Sequence, residues 1–303
     1  MIFMINGKTQ LFGFIAHPAH HSRSPRMHNL SFRHWGINAR YLAFDVAPGN
    51  LPAAVAGIRS MGIAGVNLSM PFKQTVIPLL DELTPRAQRI NAVNTIKNDH
   101  GRLIGDSTDG AGLFQNLQSR GLNLQGKRVV ILGAGGAGKA IIAAALDYRL
   151  AQVDVFKRQT ASYPAVATWV AGVSQNATTP LRLHPYEAVQ TMCDLVAQAD
   201  LVINATSVGM TTAGIPVPAS VLAVLHPGQV VYDVIYQPLE TEFLARARQK
   251  GCETHNGLGM LIWQGALAFQ FWTGKPMPVP AVEADLLASL TTEDVPTTQR
   301  HAM

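Results

Sequence analysis

The chain contains few cysteines and few charged residues, and each scarcity excludes a class of protein. Only 14% of its 303 residues are charged while 48% are hydrophobic, a composition typical of folded globular proteins rather than disordered ones. Its two cysteines, Cys193 and Cys252, lie far apart and lack the CxxC spacing of metal and redox sites. We therefore expect neither a disulfide framework nor a structural zinc site.

Long hydrophobic runs and clusters of positive charge are also missing. Polar residues, glycine or proline interrupt every apolar stretch before it approaches the roughly 20 residues that cross a bilayer. The N-terminal segment MIFMINGKTQ lacks the apolar core and cleavage site of a secretory signal, so we expect a cytoplasmic protein without membrane contact. The 24 Lys and Arg residues are scattered, and despite the net charge of +5 this favours small anionic partners over nucleic acid.

Signatures of two further enzyme classes are absent from the sequence. His17, His20, His21 and His28 have no carboxylates at ligand spacing, so we expect no metal site. No GxSxG motif is present, which argues against a serine hydrolase of the α/β type.

Strand and helix patterns alternate along the chain and predict an α/β fold with parallel sheets. Short β-branched runs predict strands, and 3.6-residue apolar spacing predicts helices between them. The segment at 261–273, LIWQGALAFQFWT, is apolar on nearly every side, so we expect a buried helix that packs back on the N-terminal part. The predicted strands are 11–16, 40–46, 65–69, 129–132, 153–156, 201–204 and 230–234, and the other predicted helices are 25–35, 51–61 and 109–120.

A glycine-rich turn follows the strand at 129–132. Gly133, Gly135 and Gly138 have GxGxxG spacing, in which the first glycine allows a tight turn, the second admits a pyrophosphate and the third lets helix and strand pack closely. A helix opening near Ala137 would point unpaired N–H groups at the phosphates. The pattern predicts a dinucleotide site formed by Gly133, Ala134, Gly135, Gly136, Ala137 and Gly138.

The end of the next strand bears on the choice of dinucleotide. NAD sites usually place a carboxylate there for the ribose 2′-hydroxyl, but this strand ends in Lys157 and Arg158, and Asp154 lies too early within it. Two cations suit the 2′-phosphate of NADP, because the planar guanidinium of Arg158 can donate two hydrogen bonds to a phosphate. The pattern favours NADP with NAD possible, and a solvated basic loop is the alternative.

The two halves of the pattern predict two domains. Residues 1–108 together with 258–303 form an open α/β sheet domain for substrate, and residues 109–257 form a Rossmann-type dinucleotide-binding domain.

Four polar segments are unusual for a structural role alone: HSRSP at 21–25, NLSMPFK at 67–73, NAVNT at 91–95 and GDSTDG at 105–110. Each has a simpler explanation, since Ser24 or Asp109 could cap a helix and Lys73 could be a surface lysine. Together they place hydroxyls, amides, a lysine and an aspartate at the carboxyl edge of a sheet, where α/β proteins bind ligands.

In this order, and followed by GAGGAGKA, NATSVGM, DVIYQP and GLGMLIWQGA, the motifs resemble the shikimate dehydrogenase family from Leu11 to Gly274. Within the family, the segments LFGFIAHPAHHSRSP and VNLSMPFKQ resemble the quinate/shikimate dehydrogenase branch as much as the strictly biosynthetic branch. The resemblance implies that Lys73 and Asp109 form the catalytic pair. It implies substrate contacts from Ser22, Ser24, Ser69, Asn94, Tyr236 and Gln264. It implies cofactor contacts from Thr206, Ser207, Gly257 and Met260 besides those above.

The activity implied is the reversible reduction of 3-dehydroshikimate to shikimate with NADPH, a step of chorismate and aromatic amino-acid biosynthesis, by a monomer or homodimer. One alternative is a quinate/shikimate dehydrogenase using NAD or NADP, and another is a non-catalytic sensor of dinucleotide or shikimate. Ser107, Gln237 and the segment 157–159 depart from the usual family residues, and Thr160 and Ala161 supply no acidic group for NAD.

Overall fold

The computed structural model describes residues 5–175, 177–211 and 213–293 and divides into two compact units. Of these residues, the first unit contains 5–87, 93–106 and 265–293, and the second contains 88–92, 107–175, 177–211 and 213–264. The divisions at 106/107 and 264/265 lie close to the predicted domain boundaries at 108/109 and 257/258. Residues 294–303 of the predicted first domain lie outside the described residues.

The first unit is built on a six-stranded sheet. Its strands are β1 (Gln10–Ala16), β2 (Ala39–Asp45), β3 (Gly65–Leu68), β4 (Glu82–Leu83), β5 (Thr95–Asp99) and β6 (Arg102–Asp106). Their order is β2-β1-β3-β5-β6-β4. The predicted parallel pairing is confirmed for β2, β1 and β3, but β5 runs antiparallel to both β3 and β6.

A tight hairpin makes β5 and β6, two strands that were not among those predicted, antiparallel to each other. His100 and Gly101 connect β5 to β6 with φ angles of 51° and 93°. Two consecutive residues with positive φ match the twist of a two-residue hairpin turn. So short a connection can join only antiparallel strands.

Among the described residues, four α-helices precede β5. They are α1 (Ser24–Trp35), α2 (Leu51–Ser60), α3 (Phe72–Thr75) and α4 (Pro85–Ile90). Proline stands in the first turn of α1, and Gly36 ends the helix with φ 64° and donates to the Arg33 carbonyl at 3.2 Å. The buried side chains Met27 and Phe32 lie on the core face of α1.

The second unit contains a parallel sheet with helices between its strands. Its elements are α5 (Asp109–Ser119), β7 (Arg128–Leu132), α6 (Gly136–Ala145), β8 (Gln152–Lys157), α7 (Tyr163–Ser174), β9 (Leu181–Pro185), α8 (Val189–Val196), β10 (Leu201–Asn204), α9 (Ala219–Ala223), β11 (Val230–Asp233), α10 (Glu242–Gln249), β12 (Glu253–His255) and α11 (Leu258–Thr273). The strand order is β12-β11-β10-β7-β8-β9. From β7 the chain builds the sheet outward through β8 and β9, and then returns to add β10, β11 and β12 on the other side of β7. This change of side between β7 and β10 is the arrangement of a dinucleotide-binding sheet.

The helix α11 belongs to both units, and α12 (Val279–Glu293) completes the first. In the first unit, Trp272 of α11 donates from its indole nitrogen to the Ile96 carbonyl at 3.0 Å, and Phe269 contacts Phe32 with ring centroids 5.4 Å apart. The prediction that this helix packs on the N-terminal part is therefore confirmed. None of the helices within the described residues is long and apolar enough to cross a membrane.

The core of the second unit contains both cysteines of the chain. Cys193 on α8 and Cys252 before β12 are 8% and 6% exposed and carry free thiols. They pack in one apolar cluster with side chains such as Val202 and Phe243.

Candidate active site

The serine segment follows β1 in the first unit. Ser22 is half-buried, and its backbone N–H donates to the Ala19 carbonyl at 3.2 Å. Ser24 is 5% exposed and its N–H donates to the Ser22 hydroxyl oxygen at 3.3 Å. The cap position of α1 is occupied by Arg23, so helix capping does not explain Ser24. Both serines lie in the segment that leads from the carboxyl end of β1 into α1.

A buried polar network links this segment to Asn94. The Tyr41 hydroxyl donates to Asn67 Oδ1 at 2.8 Å, and Asn67 Nδ2 donates to the Asn94 carbonyl at 3.2 Å. Asn94 is 2% exposed, and its own N–H donates to the Asp106 carbonyl at 3.0 Å. Burial raises the pKa of Tyr41 well above its usual range, although hydrogen bonds with Ser24 and Asn67 oppose part of this rise.

Tyr41 was missed by the sequence analysis, because a tyrosine in a strand is an ordinary core residue. Asn67 gave a clearer signal, since a polar side chain stood within the apolar run of β3. His28 stacks on Tyr41 with ring centroids 4.4 Å apart and is fully buried. Burial lowers the pKa of His28 to about 3, so the imidazole is neutral at physiological pH, and the Asn67 side chain opposes only part of the shift.

Lys73 lies in the turn that follows β3. Ser69 donates from its N–H to the Ile15 carbonyl at 3.0 Å and accepts the Phe72 N–H at 2.9 Å, which turns the chain into α3. The Lys73 carbonyl accepts the Val93 N–H at 2.7 Å, immediately before Asn94. The structure thus brings the half-buried residues Ser69 and Lys73 to the same strand ends as Asn94.

In the second unit, Asp109 is the first residue of α5 and is half-buried. The cap position belongs to Thr108, so capping does not explain Asp109 either. Three residues further along α5, a Cβ on Gly112 would lie 2.6 Å from the backbone nitrogen of Gln264. Helix α5 therefore packs closely on the first turns of α11, where Gln264 donates from Nε2 to the Leu261 carbonyl at 2.9 Å.

Three further predicted residues lie near the carboxyl end of β11. Gly257 donates to the Ile235 carbonyl at 2.9 Å, next to the half-buried Tyr236. Any Cβ on Gly257 would collide with the Val234 carbonyl, so only glycine fits. The N–H of Met260 donates to the Tyr232 hydroxyl at 3.0 Å.

The glycine turn between β7 and α6 has the predicted geometry. Gly133 adopts a φ of 98°, and its N–H donates to the Phe156 carbonyl at 2.8 Å. A Cβ on Gly138 would collide with the Gly133 carbonyl oxygen, whereas a Cβ on Gly135 would meet nothing within 4 Å among the described atoms. The space beside Gly135 and the N-terminus of α6 therefore fit a pyrophosphate.

Thr206 and Ser207 follow β10, beside this turn. A Cβ on Gly133 would lie 2.9 Å from the Thr206 methyl carbon. Thr206 donates to Asn204 Oδ1 from its backbone nitrogen at 3.0 Å and from its hydroxyl at 2.7 Å, and Ser207 is exposed. Both lie where the order of strands reverses, the usual position of a dinucleotide in such a sheet.

The loop after β8 contains the two predicted cations. Lys157 Nζ donates to the Ser162 hydroxyl at 2.9 Å, and Arg158 is exposed. Asp154 is 4% exposed and pairs with His184 Nε2 at 2.7 Å inside the sheet, as expected from its early position. The sequence analysis missed Glu187, whose Oε1 accepts the N–H of Gln159 at 3.3 Å. A contact between residues 28 positions apart has no local sequence signal.

Within the described residues, no group of three or more His, Cys, Asp or Glu side chains is arranged to hold a metal ion. Of the four clustered histidines, His17 does have a carboxylate partner, because its Nδ1 pairs with Asp45 Oδ1 at 2.6 Å.

Comparisons with known proteins identify the family to which the chain is similar. Residues 14–96 match the family model of the shikimate dehydrogenase substrate binding domain, and residues 257–287 match that of the shikimate 5′-dehydrogenase C-terminal domain. The chain is 46% identical to shikimate dehydrogenase (NADP(+)) of Streptococcus sanguinis over 90% of this chain and 95% of that protein.

Two solved structures extend the comparison. Shikimate 5-dehydrogenase from Listeria monocytogenes, in complex with shikimate and NAD, is 38% identical with a TM-score of 0.90 over 94% of this chain and 99% of that one. Quinate dehydrogenase from Corynebacterium glutamicum, in complex with NAD, is 30% identical with a TM-score of 0.83 over 92% and 99% of the two chains.

Proposed function

This chain belongs to the shikimate dehydrogenase family, and on that premise we propose that it reversibly reduces 3-dehydroshikimate to shikimate with NADPH. The membership confirms the resemblance carried by the sequence motifs. The observation that carries the proposal is the buried network from Ser24 through Tyr41 and Asn67 to Asn94. It brings hydroxyl and amide groups to the strand ends of the first unit, where a small polyol carboxylate would be recognised.

The substrate contacts follow from the chemistry of these groups. Hydroxyls of Ser22 and Ser24 donate hydrogen bonds to the substrate carboxylate, while Asn94 and Ser69 bind its ring hydroxyls. Hydrogen bonds from Asn67 Nδ2 to the Asn94 carbonyl and from the Asn94 N–H to the Asp106 carbonyl hold the backbone from which this side chain projects. From the second unit we assign further substrate contacts to Tyr236 and Gln264.

The cofactor is assigned to the second unit. The turn from Gly133 to Gly138 would hold its pyrophosphate, Arg158 and Lys157 its 2′-phosphate, and Thr206, Ser207, Gly257 and Met260 the remainder. When bound, the dinucleotide supplies the hydride for ketone reduction or accepts it in alcohol oxidation. A guanidinium such as Arg158 pairs well with a phosphate, which favours NADP over NAD.

Proton transfer is assigned to Lys73, and Asp109 supplies the carboxylate of the catalytic pair. As the ketone is reduced, the Lys73 ammonium donates a proton to the developing alkoxide, which would otherwise be an unstabilised anion. In the oxidation direction the neutral amine takes the proton back. The presence of both residues favours an enzyme over a non-catalytic sensor.

Initial rates with shikimate and quinate, each combined with NADP⁺ and NAD⁺, test the proposal. We expect the highest kcat/KM for shikimate with NADP⁺. A higher kcat/KM for quinate would instead support the quinate/shikimate alternative, which is kept because the chain is also similar to a quinate dehydrogenase structure. Binding of dinucleotide without turnover in any combination would indicate a sensor.

We further propose a cytoplasmic protein that is a monomer or a homodimer. The free thiols of Cys193 and Cys252 suit a reducing compartment. Light scattering coupled to gel filtration would distinguish the two oligomeric states, and a larger mass would contradict both.

A further inference from the structure

The loop that would contact the cofactor 2′ position carries a negative charge from a distant part of the chain. Glu187 lies in the connection between β9 and α8, and its Oε1 accepts the N–H of Gln159 at 3.3 Å. The neighbouring Tyr186 donates from its backbone nitrogen to the Lys157 carbonyl at 2.9 Å. Two hydrogen bonds therefore hold the acidic connection against the basic loop.

The charges of this loop have different surroundings. Lys157 Nζ donates to the hydroxyls of Ser162 at 2.9 Å and Thr160 at 3.4 Å, so its ammonium helps to shape the loop. Arg158 and Glu187 are both exposed, where a bound ligand could reach them.

Arg158 and Glu187 also act on the same side chain. Burial raises the pKa of the Tyr186 phenol, the positive charge of Arg158 opposes that rise and the negative charge of Glu187 adds to it. The two side chains are therefore close enough to one ring that a phosphate bound by Arg158 would experience the field of Glu187.

We propose that Glu187 is a specificity-determining residue for the dinucleotide, which weakens binding of the 2′-phosphate of NADP and favours the free 2′-hydroxyl of NAD. A phosphate carries close to two negative charges and is repelled by a nearby carboxylate, whereas a hydroxyl can donate a hydrogen bond to it. The inference rests on the proposed function, because it assumes that the second unit binds a dinucleotide.

A direct consequence is reduced discrimination between the two cofactors. The sequence places only cations at the end of β8 and favours NADP, with NAD possible. Glu187 supplies the acidic group that positions 160 and 161 lack. The preference for NADP over NAD is therefore smaller than Lys157 and Arg158 alone would give.

The test uses Glu187→Gln in the full chain, because glutamine keeps an oxygen that can accept the Gln159 N–H while removing the charge. The probes are 2′,5′-ADP and 5′-AMP, which differ at the 2′ position alone, and their Kd values are measured by calorimetry. We expect Glu187→Gln to tighten 2′,5′-ADP binding about threefold to tenfold, as the removal of one nearby charge allows. Binding of 5′-AMP should stay unchanged or weaken.

The control is Glu253→Gln, which makes the same change in net charge at an exposed residue of β12 paired with His255. It should leave the ratio of the two Kd values as in the wild type. The ratio of kcat/KM for NADP⁺ to that for NAD⁺ should rise in Glu187→Gln alone.

An unchanged Kd ratio in a Glu187→Gln protein that still binds both probes would overturn the inference and leave the proposed function intact. An equal change in the Glu253→Gln control would overturn it too, since the effect would then be one of overall charge. If the wild type bound neither probe, the proposed function would fail and the inference with it.

Discussion

Tyr41 donates a hydrogen bond of 2.8 Å from its hydroxyl to Asn67 Oδ1, and the two residues are 0% and 3% exposed. This bond determines which end of the Asn67 amide accepts and which donates, so Nδ2 is directed to the Asn94 carbonyl. A residue assigned to substrate binding thus depends on a tyrosine that contacts no substrate in our proposal.

Tyr41→Phe should lower both stability and substrate affinity. The variant keeps the ring that stacks on His28 but leaves Asn67 Oδ1 buried without its donor, which costs about 1–3 kcal/mol of unfolding free energy. We expect a higher KM for shikimate with a smaller change in kcat. Urea unfolding and steady-state kinetics measure the two effects.

The matched control for this change is Ser31→Ala, which removes another buried hydroxyl from the first unit. Ser31 donates to the Met27 carbonyl at 2.8 Å and has no part in the Asn67 network. It should lower stability without altering KM. Equal KM changes in the two variants would mean that Tyr41 acts only through global stability.

His28 should make the protein less stable in mild acid. Its pKa falls from 6.5 in the unfolded chain to about 3 in the folded one, so the unfolded chain binds the proton first as the pH drops. The unfolding free energy attributable to this group should decrease by about 1.4 kcal/mol between pH 7.5 and pH 5.5.

The pH effect is measured by urea unfolding of the wild type and His28→Gln at both pH values. The other titrating groups contribute equally to both proteins, so the pH-dependent loss should be smaller by that amount in the variant. Identical losses would show that His28 titrates normally in the folded state.

Gly135→Ala should lose cofactor binding without losing stability. The added Cβ meets nothing within 4 Å among the described atoms, and the φ of −74° suits alanine. The methyl group would nevertheless occupy the space proposed for the pyrophosphate. We expect the Kd for NADP⁺ to rise at least about tenfold, a loss of roughly 1.4 kcal/mol.

Gly172→Ala is the corresponding control, since this glycine of α7 also has open space around its Cβ position. Its unfolding free energy should rise by about 0.5–1 kcal/mol, because alanine favours the helix, and its Kd for NADP⁺ should stay unchanged. Normal NADP⁺ binding by Gly135→Ala would place the pyrophosphate elsewhere.

Lys73→Ala should lower turnover at least about a hundredfold with little change in the Kd for NADP⁺, because it removes the proposed proton donor. Lys250→Ala, at an exposed lysine after α10, serves as the comparison and should retain full turnover. Retained turnover in Lys73→Ala would exclude this lysine from proton transfer.

Local patterns explain which elements could be predicted from the sequence. The buried parallel strands β7, β10 and β11 are short apolar runs, and the glycine turn depends on close contacts within a few residues. Strands β9 and β12 lie at the two edges of their sheet and are partly exposed, so LRLHP and ETH have no apolar run to reveal them.

The remaining features depend on contacts between distant residues. Strand β5 pairs antiparallel with β3, which lies far from it in the sequence, and with β6 through the hairpin turn at His100 and Gly101. Glu187 reaches the loop after β8 only because β9 pairs with β8. Candidate site residues could be named from motifs, whereas the partners that orient them had to be seen in the folded chain.

The location of the cysteines provides a probe of one half of the molecule. Both thiols are buried in the apolar cluster of the second unit, and burial raises the pKa of Cys252, so the reactive thiolate is scarce while that unit stays closed. A maleimide added to the native enzyme would therefore label it only when this cluster opens. The rate of labelling would therefore measure transient unfolding of the second unit. Opening of the first unit would not change it.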